Sequence, residues 1–277
     1  MKTLVLPGGE RVPALGMGTW MMGEQPSRRA DELAALRHGI DLGLTLIDTA
    51  EMYGEGASEE LVGEAIRGRR DQVFLVSKVY PHNAGARSAP AACERSLQRL
   101  GVDCIDLYLL HWRGSIPLEE TVDAFERLKA AGKIRHWGVS NLDLRDLRAL
   151  YGTPNGGHCA LNQVLYNLSR RGIEWDLLPA CRARNMPLMA YSPLEQARLL
   201  DKDELKNLAA SLNATPAQLA LAWLLHQDGV IAIPKSGNRQ RVEENFGALE
   251  LTLDASVLKE LDRIFPPPDG PSELEMI

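Results

Sequence analysis

Four ionisable side chains, Asp48, Tyr53, Lys78 and His111, each stand at or soon after the end of a short apolar run. Together they can protonate an oxygen that gains negative charge. A tyrosine normally titrates near ~10 and is a poor acid at neutral pH. A neighbouring Lys78 ammonium would stabilise the tyrosinate and lower that pKa, while Asp48 would hold Lys78 charged and in place. His111 could then hydrogen-bond the substrate oxygen and orient it. The set contains no obvious nucleophile. It suits reduction of a carbonyl by hydride transfer, which asks the protein for an acid and little else. A non-redox barrel with Lys78 as a Schiff-base lysine is one alternative, but a lysine kept protonated by Asp48 is a poor nucleophile. A regulatory protein that only binds a cofactor is another; an intact set of four such groups speaks against it.

Something must bring these groups together. Apolar β-like runs end near Gly18, Asp48, Lys78, His111, Ser140, Gln163, Tyr191 and Lys235, mostly 23 to 33 residues apart. Most lack polar alternation, as expected of parallel strands covered on both faces. Between them lie helical patterns such as Leu118–Ala131, with Val122, Phe125 and Leu128 on one face. Ser58 before Glu59 and Glu60 reads as an N-cap. Leu205–Ala210 and Pro216–Leu225 read as two helices in the longest interval, and Pro266-Pro267-Pro268 ends the last helix. Leu4–Val12 reads as a hairpin around Gly8-Gly9. The pattern predicts a (β/α)8 TIM barrel with an N-terminal β-hairpin, one domain over residues 1–277. Doubly wound sheets are the alternative and usually have fewer strands. In barrels, catalytic groups come from the C-terminal strand ends, so the polar residue after each run converges on one rim.

The motifs Asp48-Thr49-Ala50-Glu51-Met52-Tyr53-Gly54, Leu110-His111-Trp112, Gly138-Val139-Ser140-Asn141 and Ile233-Pro234-Lys235-Ser236 resemble those of the aldo-keto reductase superfamily. The resemblance runs over essentially the whole chain. It implies that Asp48, Tyr53, Lys78 and His111 form a catalytic tetrad with Tyr53 as general acid. It also implies NADP(H) as cofactor, with Gly18, Thr19 and Asp48 beside it. Ser140, Asn141 and Gln163 would hold the nicotinamide carboxamide, and Tyr191 would stack on the ring. Ser192, Pro193 and Leu194 would line the pyrophosphate path. Lys235, Ser236 and Arg241 would clasp the 2′-phosphate, with Asn245 near the adenine and Ile233 also against the cofactor. Short bacterial members that reduce methylglyoxal are the nearer likeness, through Asp48–Gly54, Ser77–Pro81 and Gly172–Pro179; a diketo sugar acid is the alternative substrate.

The residues themselves agree on a phosphate. Lys235, Arg239 and Arg241 cluster where a helix opens, and a helix N-terminus favours anions; an exposed basic loop is the plainer alternative. Gly16-Met17-Gly18-Thr19 lacks the third glycine of a Rossmann fingerprint. Trp20 and Trp112 are candidate pocket walls for a small carbonyl substrate, or else close the rim. Met21, Met22, Val79 and Tyr80 could add to that pocket, and the short C-terminal tail suggests no substantial closing loop.

Composition narrows the rest. The 277 residues carry a net charge of −6 with no basic stripe, which argues against a nucleic-acid partner. No apolar run approaches about 18 residues, and no secretory leader precedes the first strand, so neither membrane nor export is expected. Cys93, Cys104, Cys159 and Cys181 are widely spaced and read as buried thiols of a reducing cytoplasm. The histidines outside the tetrad have no partner at ligand spacing, so no metal is expected. The expected assembly is a monomer.

Overall fold

The computed structural model describes residues 2–277. The chain opens with an antiparallel hairpin, β1 (Thr3–Val5) paired with β2 (Arg11–Pro13). Gly9 turns it at φ +87°, a backbone conformation that costs a glycine little. Eight parallel strands follow: β3 (Met17–Gly18), β4 (Leu46–Asp48), β5 (Phe74–Val79), β6 (Ile105–Leu110), β7 (Ile134–Ser140), β8 (Asn162–Leu165), β9 (Leu188–Tyr191) and β10 (Val230–Ala232). Each pairs with the next in sequence. The last meets the first through parallel bridges between Leu15 and Ala232 and between Gly18 and Lys235. That closure rules out a doubly wound open sheet.

Helices return the chain from one strand to the next: α1 (Arg29–Leu42), α2 (Ala57–Ile66), α3 (Ser88–Leu100), α4 (Leu118–Ala130), α5 (Leu144–Tyr151) and α6 (Leu177–Arg182). The long interval after β9 holds α7 (Asp203–Ser211) and α8 (Pro216–His226). Thr215 and Gln218 form a capping box that starts α8. Then come α9 (Arg239–Gly247) and α10 (Ala255–Ile264), after which the prolines end the helix as expected. Among the described residues no single helix is long and apolar enough to cross a membrane.

The period of two along a strand decides what faces the barrel axis. Leu46, Phe74, Val76, Leu107, Leu109, Leu161, Met189 and Ile231 form an inner core, joined by Leu6 and Val12 of the hairpin segment. The hairpin therefore plugs the N-terminal end. Counting onward by twos from these positions reaches Asp48, Lys78, His111, Gln163, Tyr191 and Lys235. Ile47, Leu75, Val79 and Val139 occupy the alternate positions and pack with the helices in the outer core. Alternation hidden within uniformly apolar runs thus aims the chemistry at the open end.

Ser58 departs from its expected role. Gly56, at φ 100°, precedes α2, and Ser58 lies inside its first turn without capping it. Its hydroxyl is buried, 2.7 Å from Thr19 Oγ1 and 3.1 Å from Thr49 Oγ1. A side chain inside the first turn points at the barrel rim here, and it ties α2 to two strand ends.

Candidate active site

Lys78 is fully buried, and all three of its N–H donors have acceptors. Nζ donates to Asp48 Oδ2 at 2.7 Å, to Thr49 O at 2.9 Å and to the Tyr53 hydroxyl at 3.1 Å. An ammonium whose donors are all engaged is fixed in direction as well as place. Asp48 is held in turn, since its Oδ1 accepts from Gln163 Nε2 at 2.8 Å. Tyr53 follows in a short turn after β4, and its ring meets that of His111 edge-on at 5.8 Å. Because the Tyr53 oxygen accepts from Lys78, its own hydrogen is left to donate elsewhere. The tetrad read from the sequence is one contiguous cluster.

Its electrostatics differ from expectation at one point. The Tyr53 pKa is raised, not lowered. Burial is the largest cause; the Lys78 ammonium pulls the other way, and the Asp48 carboxylate adds to the rise. Tyr53 therefore carries its proton throughout the neutral range. For Lys78, burial acts to lower the pKa, and attraction to Asp48 and Tyr53 outweighs it, so the ammonium stays charged. His111 is pushed down to about 2, first by burial and then by Lys78, so it is neutral. Its Nδ1 is buried with no hydrogen-bond partner among the described residues. An unsatisfied acceptor costs less than an orphaned donor, so the favoured tautomer puts the hydrogen on Nε2.

Around this cluster lies a polar arc. Ser140 Oγ donates to Gln163 O at 2.9 Å, and Asn141 Nδ2 reaches His111 O and Ser140 Oγ at 3.2 Å each. Tyr191 donates to Asn141 Oδ1 at 3.0 Å. Asn141 takes φ 57°, which asparagine tolerates better than most residues. On the far side, Thr19 Oγ1 donates to Asp48 O at 2.9 Å. A Cβ on Gly18 would stand 2.9 Å from Ile233 O, so β3 and the segment after β10 approach too closely there for a side chain.

Lys235 lies among other charged groups. Lys235 is lowered by burial first, then by the charge of Arg28; Glu32 and Glu24 oppose this, and Arg241 adds to it. Arg28, just before α1, is a charge near Lys235 that the sequence alone does not place there, while Arg239 opens α9. Arg28 sits 3.6 Å from Glu32, and a Cβ on Gly237 would meet the Glu32 side chain at 2.8 Å, so α1 packs against the turn after β10. Ser236 is partly exposed, Ile233 and Asn245 are buried, and Asn238 caps α9 by accepting from Arg241 N. Ser192, Pro193 and Leu194 leave β9 and lead into a loop anchored by Glu195.

Trp20 is 40% exposed at the rim, and Trp112 packs on His111 with ring centroids 4.9 Å apart. Tyr80 meets Trp112 edge-on at 5.9 Å, its backbone N–H held by Glu51 at 2.8 Å. Met21 is exposed, whereas Met22 and Val79 are fully buried in the outer core and cannot line a pocket. The tail after α10 folds back: Glu275 pairs with Arg170, and Ser272 would be 2.3 Å from a Cβ on Gly172. Beneath it lies a cavity of about 250 Å³ beside Arg145, Arg148, Leu165 and Ile173, apart from the tetrad. Short as it is, the tail covers part of the rim. Cys104 is the one cysteine only partly buried.

The sequence model of the Aldo/keto reductase family matches residues 14–265. The chain belongs to that family. As an aldo/keto reductase it is an oxidoreductase, and the closed eight-stranded barrel is the fold expected of it. It is 53% identical over 281 residues to methylglyoxal reductase YeaE of Escherichia coli, covering 100% of this chain and 99% of that protein. Glyoxal reductase of Bacillus subtilis is 34% identical, covering 96% of each. An aldo/keto reductase from Klebsiella pneumoniae, crystallised in complex with NADP and acetate, is 54% identical with a TM-score of 0.98, over 100% of this chain and 99% of that one.

Proposed function

We propose that this aldo/keto reductase uses NADPH to reduce small aldehydes and ketones, 2-oxoaldehydes such as methylglyoxal among them, with Tyr53 as proton donor. The observation that carries the reading is the direction of one hydrogen bond: Lys78 donates to the Tyr53 oxygen, freeing the phenol proton for a substrate. When bound, NADPH supplies hydride to the carbonyl carbon. His111, neutral with its hydrogen on Nε2, donates to the carbonyl oxygen and fixes it beside Tyr53. As that oxygen gains charge, Tyr53 transfers its proton, and the phenolate left behind keeps its hydrogen bond from the Lys78 ammonium. Asp48 compensates the ammonium before and after the step. Trp20, Trp112 and Tyr80 exclude water around a small substrate, and relatives that act on methylglyoxal and glyoxal support that size.

The chain's residues fit the cofactor. Gln163, Ser140 and Asn141 present amide and hydroxyl groups beside the tetrad, with the Tyr191 ring next to them. The close approach of Gly18 to Ile233 brings the end of β3 beside the segment that carries Lys235 and Ser236. Lys235 and Arg241 at the start of a nine-residue helix, with Arg28 from the turn before α1, supply cations that a 2′-phosphate can use. The four free cysteines suit a reducing cytoplasm. A titration of NADPH fluorescence, followed by an absorbance assay with methylglyoxal, tests the reading. Binding with aldehyde-dependent loss of NADPH supports it; binding without turnover points to a regulatory role.

Arg241→Ala is expected to weaken NADPH about 10- to 100-fold, the range for a lost charge-assisted hydrogen bond, and NADH less than twofold. Equal losses for the two cofactors would remove Arg241 from the phosphate site.

A further inference from the structure

The segment leaving β9 adopts a backbone that few side chains choose. Ser192, Glu195, Gln196 and Ala197 have φ of 46°, 50°, 54° and 70°, and none is glycine. Such a run persists only where surrounding contacts over-determine it. Those contacts converge on one carboxylate. Glu195 is 4% exposed. Its Oε1 accepts from Arg170 at 2.9 and 3.1 Å and from Arg198 at 2.8 Å, and its Oε2 accepts from Asn167 Nδ2 at 2.8 Å. The same Asn167 amide donates to Ser192 O at 2.9 Å. Arg170 also pairs with Glu275, so the connection after β8, the loop after β9 and the tail meet at one point.

None of this serves the proton transfer. A buried carboxylate with two arginines also pays desolvation, which makes it a weak device for stability alone. It is a good device for holding one loop shape. We propose that Glu195 is a positioning residue for the cofactor: its carboxylate holds Ser192, Pro193 and Leu194 against the cofactor's diphosphate and sets how long NADP(H) stays bound. The proposal rests on the cofactor placement given above. The hydride-transfer step itself does not depend on Glu195.

Glu195→Gln keeps the size of the side chain and removes the charge that Arg170 and Arg198 share. Stopped-flow fluorescence is expected to show NADPH dissociating about tenfold faster, with Kd rising to match, as the loss of a charge-assisted bond implies. Single-turnover reduction at saturating NADPH stays within twofold of the unaltered protein. A purely structural role would not split affinity from chemistry in this way. Arg198→Ala, at a side chain 58% exposed, removes one donor without burying a charge and is expected to give about a threefold faster release. If Glu195→Gln does not fold, Arg198→Ala decides. Release within twofold of the unaltered protein in the variants that fold overturns the proposal, as does a single-turnover rate that falls with affinity. Failure of the unaltered protein to bind NADPH would instead overturn the cofactor placement.

Discussion

Tyr53→Phe is expected to lower NADPH-dependent carbonyl reduction by about 10²- to 10⁴-fold, the contribution of a well-placed general acid. NADPH affinity should stay within about twofold, because the proposed mechanism sets the hydroxyl against the carbonyl oxygen and not the phosphate site. The variant keeps the ring, its edge-on contact with His111 at 5.8 Å and the shape of the pocket. It removes one donor and the hydrogen-bond acceptor for Lys78. His111 cannot replace the acid: at a pKa of about 2 it is neutral, and its Nε2–H is too weak an acid to give up. A single-turnover assay with methylglyoxal measures the loss. Retention of more than about a tenth of the rate would assign the proton to another group.

Lys78→Met is expected to cost both activity and stability, and a second substitution separates the two. Removing one partner of a buried ion pair leaves the other charged and alone, at about 3–5 kcal/mol. Asp48, 2% exposed, would be that partner. In the double variant Asp48→Asn, Lys78→Met neither charge remains, so most of the lost stability should return. Activity should not, because the phenolate formed on proton transfer then has no ammonium to stabilise it. Chemical denaturation and turnover measured on the same three proteins give the comparison. Recovery of activity along with stability would make Lys78 a scaffold residue alone.

Asp48, Lys78 and His111 were legible because each ends an apolar run at a position of inward parity. That parity also places Val79 on the outer face, although it follows Lys78 directly. Helix α4 was found almost to its ends, because Val122, Phe125 and Leu128 mark its buried face and Pro117 its start. The closure of β10 on β3 was implied only by the count of strands. Ser58 misled because an acidic pair after serine usually marks a cap, whereas the turn at Gly56 starts α2 earlier. The sign of the Tyr53 shift depends on burial and on how closely Asp48 compensates Lys78, and neither distance is written in the sequence. Glu195 is not legible for a related reason, since an acid in a loop looks like a surface residue until the fold buries it, and Arg28 stays on the surface, near Lys235 only because α1 packs against the turn after β10.

Under the proposed mechanism the proton given to the carbonyl oxygen comes from a phenol that stays loaded at neutral pH. The pH dependence of single-turnover reduction, measured beside oxidation of the product alcohol, tests it most directly. With the Tyr53 pKa raised above its ordinary 10.0, the acid is present at every lower pH and is lost as pH rises through that value. Reduction should therefore hold level through neutrality and fall only in strong alkali, while oxidation, which needs the phenolate, rises over the same interval. Both limbs should vanish in Tyr53→Phe. A transition near neutral pH, or limbs that survive the substitution, would contradict the account.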